Sequence, residues 1–260
     1  MLTDLNCDMG EGMPTDEQIY PFISSANIAC GGHAGDTDTM RRSVDLALRH
    51  GVAIGAHPSY PDKSGFGRSD ILESAPGAGD KPFSFHSLPD MLIAQIEALR
   101  HICRQAGAAL HHVKPHGALY NRAAKDPFVS TVIAQAVAAI DPSIMIYGLS
   151  GSLTGPAAAK AGLGFASEVF ADRTYQPDGS LTPRTAPNAL IHDPMTMLSQ
   201  ALSLIKRQQT RALNGAIISI RAETICLHGD GDNAVTFASI LRSELQRNGI
   251  TISAPAPRTL

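Results

Sequence analysis

The sequence predicts an α/β fold in which a mostly parallel sheet forms a TIM-like (β/α) barrel, distorted or seven-stranded, with helices outside. Short apolar runs of strand length alternate with amphipathic runs about seven times along the chain, a pattern typical of successive βα units. Each apolar run passes directly into polar residues. Because α/β barrels carry their sites at the carboxyl ends of the strands, the pattern favours a closed or nearly closed barrel with one shared site.

A doubly wound open sheet is the alternative arrangement of the same elements. The first strand and its loop lack the GxGxxG pattern that binds dinucleotides, and no GxxxxGK[ST] phosphate loop occurs in the chain. The open sheet is therefore less favoured than the barrel.

Every predicted strand is an apolar run that ends in glycine or in polar residues. In chain order the runs begin at Leu2 and then cover residues 23–30, 52–56, 110–113, 144–149, 164–170, 224–227 and 250–252. The predicted helices lie between them and are bounded by Ser, Asp or Pro at the start and by Gly at the end. They start at about Thr37, Ser87, Asp126 and Asp193, and others end near Gly162 and before Gly249.

Two segments interrupt the rhythm of the repeat. Residues 60–87 are rich in glycine and proline, and a loop of this length in a compact domain is more often functional than accidental. We predict that it is a lid over a single domain spanning residues 1–260, with Arg68 as a candidate contact. Residues 174–192 form a second excursion with a turn at Pro177-Asp178-Gly179.

Composition excludes several classes of function. The net charge is −3, no long basic stretch is present and tryptophan is absent, so nucleic acid is not an expected partner. No apolar run is long enough to cross a bilayer, and we expect neither a signal peptide nor a membrane partner. The four cysteines lack CxxC spacing. We expect reduced thiols and a cytoplasmic location.

Six predicted strand ends supply the residues that could carry chemistry. They are Asn6, Asp8 and Glu11; His33 and Asp36; His57; Lys114, His116 and Asn121; Glu168, Asp172 and Arg173; and His228 and Asp230. A single histidine after a strand is usually structural. Four of them at matching places in the repeat predict a catalytic site, and the alternative is a shared polar plug in the barrel mouth.

Two kinds of binding are suggested by these residue types. Asp8, His33 and His57 are candidate ligands of a divalent metal, because carboxylate and imidazole suit zinc, manganese or iron. Lys114 and Arg173 are candidate anion-binding residues for a carboxylate, a phosphate or an oxyanion. For these two cations, the alternative is an ion pair with Asp8, Glu168 or Asp230.

Several of these motifs are long and occur in a fixed order. They are residues 6–12 (NCDMGEG), 25–36 (SANIACGGHAGD), 55–59 (GAHPS), 113–121 (VKPHGALYN), 168–173 (EVFADR) and 227–230 (LHGD). In this combination the chain resembles the LamB/YcsF family, whose characterised members are the A subunits of bacterial 5-oxoprolinases. The resemblance runs nearly end to end and implies a barrel related to the glycoside hydrolase/deacetylase group.

The resemblance implies ATP-dependent cleavage of 5-oxo-L-proline (pyroglutamate) to L-glutamate, with two partners, the B and C subunits of 5-oxoprolinase. ATP would then be a co-substrate, and phosphorylation of the amide oxygen would turn a poor electrophile into an imidate-like one. Lys114 and Arg173 would hold phosphate or the substrate carboxylate. Asp8, Glu11 or a strand-end histidine would position water or move protons. Without a Walker loop, ATP must be held in an unusual way or shared with a partner.

Two other functions compete with this expectation. One is a metal-dependent deacetylase that acts on a sugar or an amide through Asp8, His33 and His57. The other is a non-enzymatic protein that binds a small acid and regulates a partner. Substitution of Asp8 or Lys114 by alanine separates the two kinds of protein, because a binder loses affinity whereas an enzyme can keep binding and lose turnover.

Overall fold

The computed structural model describes residues 1–72, 83–227 and 234–256, and its main feature is a closed barrel of parallel strands. The strands are β1 (Leu2–Met9), β2 (Ser25–Ala29), β3 (Ala53–His57), β4 (His112–Val113), β5 (Met145–Leu149), β6 (Phe165–Phe170), β7 (Gln209–Arg211), β8 (Ile217–Ser219), β9 (Thr224–Leu227) and β10 (Thr251–Ile252). The helices are α1 (Asp16–Ile19), α2 (Thr37–His50), α3 (Leu88–Gln105), α4 (Gly117–Ala123), α5 (Pro127–Ile140), α6 (Thr154–Lys160), α7 (Pro194–Arg207) and α8 (Ala234–Arg247).

Seven of these strands close the barrel, which confirms the predicted fold class. The order is β1-β2-β3-β4-β5-β6-β9, and β9 pairs in parallel with both β6 and β1. Asn6 therefore has a partner on each side, Ser25 in β2 and Cys226 in β9. β10 adds to β1 near Leu2, at the amino end of the barrel. Since all seven strands run in the same direction, their carboxyl ends form one rim.

Local sequence signals fix the helices that follow these strands. Asp36 caps α2 by accepting a hydrogen bond from the Thr39 backbone N–H at 2.8 Å, and Gly51 ends the helix with φ +66°. Asp126 and Asp193 cap α5 and α7 in the same way. The predicted helix starts near Thr37, Asp126 and Asp193 are confirmed, and each cap satisfies backbone N–H groups in the first turn of its helix.

The barrel interior holds an unusual number of polar groups. Asp4, Asn6, Asn27, His112 and Glu168 are all fully buried. They form hydrogen bonds to one another or to neighbouring hydroxyl groups, such as Asn27 Nδ2 to Asn6 Oδ1 at 2.8 Å. The apolar core lies outside them, between the strands and the helices.

The four cysteines are free and buried, as expected from their spacing. None of the helices in the described ranges combines the length and the apolar character that a membrane crossing requires.

The sequence did not predict three of the smaller elements. α1 and α4 are short helices, and β7 and β8 form an antiparallel hairpin after α7. The predicted lid is described at residues 60–72 and 83–87, while residues 73–82 lie outside the described residues. The predicted site residues His228 and Asp230 also lie outside them.

Candidate active site

A cavity of about 910 Å³ opens at the carboxyl rim of the barrel. Its floor is made by residues at the carboxyl ends of β1, β3 and β4, including Asp8, His57 and Lys114. Its walls come from Arg68 in the first excursion and from residues 176–185 in the second. The volume is at the upper end of the range for small-molecule sites. The two segments that break the βα repeat therefore enclose the site.

β1 and the loop after it bring two carboxylates, Asp8 and Glu11, to this floor. Gly10 and Gly12 have φ values of +70° and +85°, a backbone region that favours glycine, and they turn the chain so that Glu11 faces the barrel axis. Asp16 holds the turn by accepting a hydrogen bond from the Gly10 N–H at 3.0 Å. Burial and the nearby charge of Glu11 raise the pKa of Asp16 to about 6.

Lys114 lies in the centre of the floor and is surrounded by acceptors. Its Nζ is 2.9 Å from Asp8 Oδ1 and 2.8 Å from Glu168 Oε1, and it also donates to Asn6 Oδ1 at 3.2 Å. Burial alone would lower the pKa of Lys114, but the charges of the two carboxylates outweigh it and raise the pKa well above its usual value. The ion pair that was the alternative role of Lys114 is thus formed in the structure.

Three histidines converge on Glu11 beside this ion pair. Glu11 Oε1 is 2.7 Å from His33 Nε2, 3.4 Å from His116 Nδ1 and 3.9 Å from His57 Nε2. His57 Nε2 and His116 Nδ1 are 2.8 Å apart, and one ligand atom from each of the four residues lies within 4.8 Å of every other. Asp8 Oδ2 borders the group at 3.3 Å from His57 Nε2. The structure thus places Glu11 and His116 with the predicted ligands His33 and His57, whereas Asp8 is paired with Lys114.

The imidazole rings are packed tightly against one another. His33 and His116 stack with centroids 3.7 Å apart and planes 2° from parallel, and His57 meets His116 edge-on at 4.7 Å. Burial, followed by the proximity of the other rings, lowers the pKa of His116 far below its usual value. Burial also lowers the pKa of His33, although Glu11 partly opposes it. Both rings are therefore neutral at pH 7.

The described part of the first excursion forms the outer wall of the histidine group. Phe66 packs edge-on against His33 and His116, at 5.2 and 5.5 Å between centroids. Its φ of +54° is rare for a bulky residue, and it directs the Phe66 carbonyl to His116 Nε2 at 2.9 Å. Gly67 follows with φ +65°, and a Cβ there would lie 2.9 Å from both histidines. These residues act as a fixed wall of the site.

Basic residues also line the cavity. Arg68, Lys125, Arg173 and Arg184 all face it. Arg173 is buried and donates to the Thr182 carbonyl at 2.6 Å, so it also anchors the second excursion. Burial and the positive charge of Arg184 lower the pKa of Arg173. Two guanidinium groups that repel each other on one wall form a natural site for an anion.

Most of the predicted site residues meet at this rim. Glu168 is below it, fully buried against Lys114, and His33 lies behind Glu11 rather than on the cavity surface. Asp36 caps α2, and within the described ranges Asp172 is not part of the cavity lining.

Sequence reasoning missed several contributors. Ser59, Phe66 and Arg184 support or line the site but do not follow directly on a strand. Ser59 lies two residues after His57, and this proximity was the one available signal. Cys226, 3.1 Å from Lys114 Nζ, was assigned only as a strand residue.

Comparisons with known proteins give a consistent result. The model of the LamB/YcsF family matches residues 3–259. A protein of Tolumonas auensis, named as the A subunit of 5-oxoprolinase, is 49% identical over 256 residues, which cover 96% of this chain and 98% of that protein. One of the same name from Shouchella clausii is 51% identical, with coverage of 96% and 97%.

Solved structures extend the comparison to the fold. The crystal structure of a lactam utilization protein from Thermus thermophilus has a TM-score of 0.87 at 37% identity and covers 98% of this chain and 100% of its own. The catalytic domain of a peptidoglycan N-acetylglucosamine deacetylase from Eubacterium rectale has a TM-score of 0.51 at 11% identity, with coverage of 100% and 92%. The second likeness concerns the barrel fold alone.

Proposed function

The chain belongs to the LamB/YcsF family, and from this premise we propose that it is the A subunit of a 5-oxoprolinase. The proposed reaction opens the lactam ring of 5-oxo-L-proline to give L-glutamate, with ATP as co-substrate. The high identity to two proteins of that name over almost their whole length is the observation that supports this most strongly. The description of the Thermus protein as a lactam utilization protein agrees with a cyclic amide as substrate.

The reaction makes three demands on a site. Water must add to the amide carbon, negative charge must be stabilised on the amide oxygen, and the ring nitrogen must leave with a proton. A five-membered lactam is little strained, so the carbon is a poor electrophile. Transfer of the terminal phosphoryl group of ATP to the amide oxygen, with release of ADP, would activate the carbon, which accounts for the proposed use of ATP. After water adds and the ring nitrogen leaves, a second water would hydrolyse the resulting acyl phosphate to glutamate and phosphate.

The cavity offers groups for each demand. We assign water activation to Asp8, since its carboxylate lines the cavity and is held by Asn27 at 2.8 Å and Lys114 at 2.9 Å. Glu11 and the histidines that face it enclose the end of the cavity where the amide would react. Arg173 and Arg184, which also line the cavity, would hold the carboxylate of 5-oxoproline or a phosphate. Proton donation to the ring nitrogen is assigned to the same Asp8 after it has taken the proton from water.

ATP binding is assigned to the partners in this mechanism. The chain has no GxxxxGK[ST] loop, and the cavity is larger than 5-oxoproline requires. We propose that the B and C subunits bind the nucleotide or complete its site at the open rim. A divalent metal is a further candidate cofactor, because Glu11 and three histidines offer ligand atoms within 4.8 Å of one another.

A reconstitution experiment tests the proposal. The purified chain and the B and C subunits are combined with 5-oxo-L-proline and ATP, and glutamate and phosphate are measured while each component is omitted in turn. We expect both products to require all five components. A full rate with this chain alone would remove the partner requirement, and absence of glutamate from the complete mixture would remove the proposed activity.

A second candidate function is hydrolysis of an amide or acetyl group without ATP. It is favoured by the histidine and glutamate group, whose residue types are those of metal-dependent hydrolases. Glutamate formation at an unchanged rate without ATP would favour this candidate over the first.

A further inference from the structure

We propose that Glu11, His33, His57 and His116 bind one divalent transition-metal ion, with zinc as the best match. The ligand atoms are Glu11 Oε1, His33 Nε2, His57 Nε2 and His116 Nδ1. Ligands about 2.0–2.1 Å from a tetrahedral zinc ion are separated by about 3.3 Å. The observed separations of 2.7, 2.8, 3.4 and 3.9 Å lie on both sides of this value.

The tautomers of the histidine rings decide which nitrogens can bind a metal. His57 Nδ1 is 2.7 Å from the Lys114 carbonyl, and His116 Nε2 is 2.9 Å from the Phe66 carbonyl. A carbonyl oxygen can only accept, so both of these nitrogens donate. In the neutral rings, His57 Nε2 and His116 Nδ1 therefore carry lone pairs.

His33 is fixed in the same sense by a hydroxyl group. The Ser59 hydroxyl donates to the Tyr60 carbonyl at 3.0 Å, so it accepts from His33 Nδ1, also at 3.0 Å. His33 Nε2 is then left with its lone pair, 2.7 Å from the Glu11 carboxylate.

Three lone pairs and a carboxylate oxygen thus point at one another without a hydrogen-bond donor between them. Two acceptors at 2.7–2.8 Å repel each other, and the three imidazole rings are buried. A proton on one ring satisfies one contact and leaves the others unpaired. A single cation in the middle satisfies all four atoms at once.

The surroundings fit a metal centre as well as the ligands do. Ligating histidines usually donate their other N–H to a carbonyl, carboxylate or hydroxyl group, which fixes the tautomer and the ring orientation. Here those partners are Lys114, Phe66 and Ser59. The three imidazoles and one carboxylate suit zinc, with cobalt, manganese, iron and nickel as weaker matches. The Glu11, His57 and His116 side of the group faces the cavity, where a metal would polarise an amide oxygen or a water molecule.

The inference deepens the proposed function at the same site, but metal binding can be measured without a substrate. The tag-free chain is stripped with chelator, titrated with zinc sulfate by calorimetry, and then dialysed for elemental analysis. We expect about one zinc per chain and a higher melting temperature after zinc addition.

Two matched variants locate the ion. His116→Gln should weaken zinc binding by at least about 100-fold, while His101→Gln, on the exposed face of α3, should bind as the native chain does. Circular dichroism of both apo variants shows whether they are folded. If His116→Gln is unfolded, Glu11→Gln, which keeps the size of the side chain, serves instead.

The proposal is overturned if the folded native chain binds none of zinc, cobalt or manganese, or if the ligand variants bind zinc as tightly as the native chain. Its failure is distinct from failure of the proposed function. Glutamate production by a complex whose folded chain binds none of these metals would refute the metal alone, and one zinc per chain without glutamate production would refute the reaction alone.

Discussion

At the scale of single residues, Lys114 is the most consequential side chain of the site. It is almost fully buried and forms ion pairs with two carboxylates, Asp8 and Glu168. Removal of one partner from a buried ion pair is costly because it leaves the other charge uncompensated. The interior of the barrel therefore depends on this one cation for its electrostatic balance.

Substitution of Lys114 by methionine tests this role. We expect the free energy of unfolding to fall by about 3–5 kcal/mol, measured by urea denaturation at pH 7.5. Lys160→Met, on the exposed end of α6, is the matched control and should change it by less than about 0.5 kcal/mol. Adding Glu168→Gln to Lys114→Met should restore part of the loss, and equal stability of the two Lys variants would contradict this role.

Residue types predicted much of the site, but not its contacts. His33, His57 and His116 were found because each follows an apolar strand, and parallel strands bring those positions to one rim. Glu11, rather than Asp8, contacts the histidines most closely because the chain turns at Gly10 and Gly12. A pattern of strand ends does not predict the positive φ values of these two glycines. Asp8 and Glu11 could not be distinguished without that turn.

At the scale of elements, the loops after the strands hold the rim in place. The segment around Phe66 was predicted as a lid, yet its described part packs directly on the histidines. Sequence patterns could not show this, because neither composition nor periodicity indicates that the Phe66 backbone has a positive φ. The start of α2 at about Thr37 was predicted, since the hydrogen bond of its Asp36 cap is local in sequence.

Substitution of Gly67 by alanine tests the role of this wall. A Cβ would lie 2.9 Å from His33 and His116 in addition to the strain of φ +65°. Gly51→Ala is a close control, because Gly51 has φ +66° and no neighbour within 4 Å of the added atom. We expect both variants to lose about 1–2 kcal/mol from the backbone, and Gly67→Ala to lose more in urea denaturation and to bind zinc more weakly. Equal losses of stability and of zinc affinity in the two variants would show that the segment at Phe66 and Gly67 does not constrain the histidines.

The turn after β1 should make stability depend on pH through Asp16. Its pKa is raised to about 6 by burial, from 3.8 in the unfolded chain, so the folded state binds more protons between those values. Stability contributed by this group is therefore lost as the pH rises through about 6. Asp16→Asn keeps an acceptor for the Gly10 N–H and removes the titration.

The measurement is the urea midpoint of the native chain and of Asp16→Asn across a pH range of about 5.0 to 7.5. We expect the variant to gain stability relative to the native chain as the pH rises. Asp45→Asn, at an exposed position on α2, should track the native chain. A constant difference between Asp16→Asn and the native chain would refute the role of Asp16.

At the scale of the whole molecule, closure of the barrel joins distant parts of the chain into one site. β1 and β9, far apart in sequence, pair directly, as in Asp4 with Thr224. The alternation of strands and helices predicted this closure, because each strand delivered polar residues to the same end. The small hairpin of β7 and β8 was not predicted, although Asn214-Gly215 before the apolar run of residues 216–220 is a typical hairpin signal. That residues 1–260 form a single domain stays a prediction.

The central claim is that this rim, with ATP and the B and C subunits, opens 5-oxo-L-proline. It is tested most directly by glutamate formation in the reconstituted mixture with the native chain, Glu11→Gln and the exposed control Glu17→Gln. We expect native rates for Glu17→Gln and a loss of at least about 100-fold for Glu11→Gln, with assembly unchanged. Absence of glutamate from the complete mixture with the native chain would contradict the claim, and native glutamate formation by Glu11→Gln would show that Glu11 does not serve the reaction.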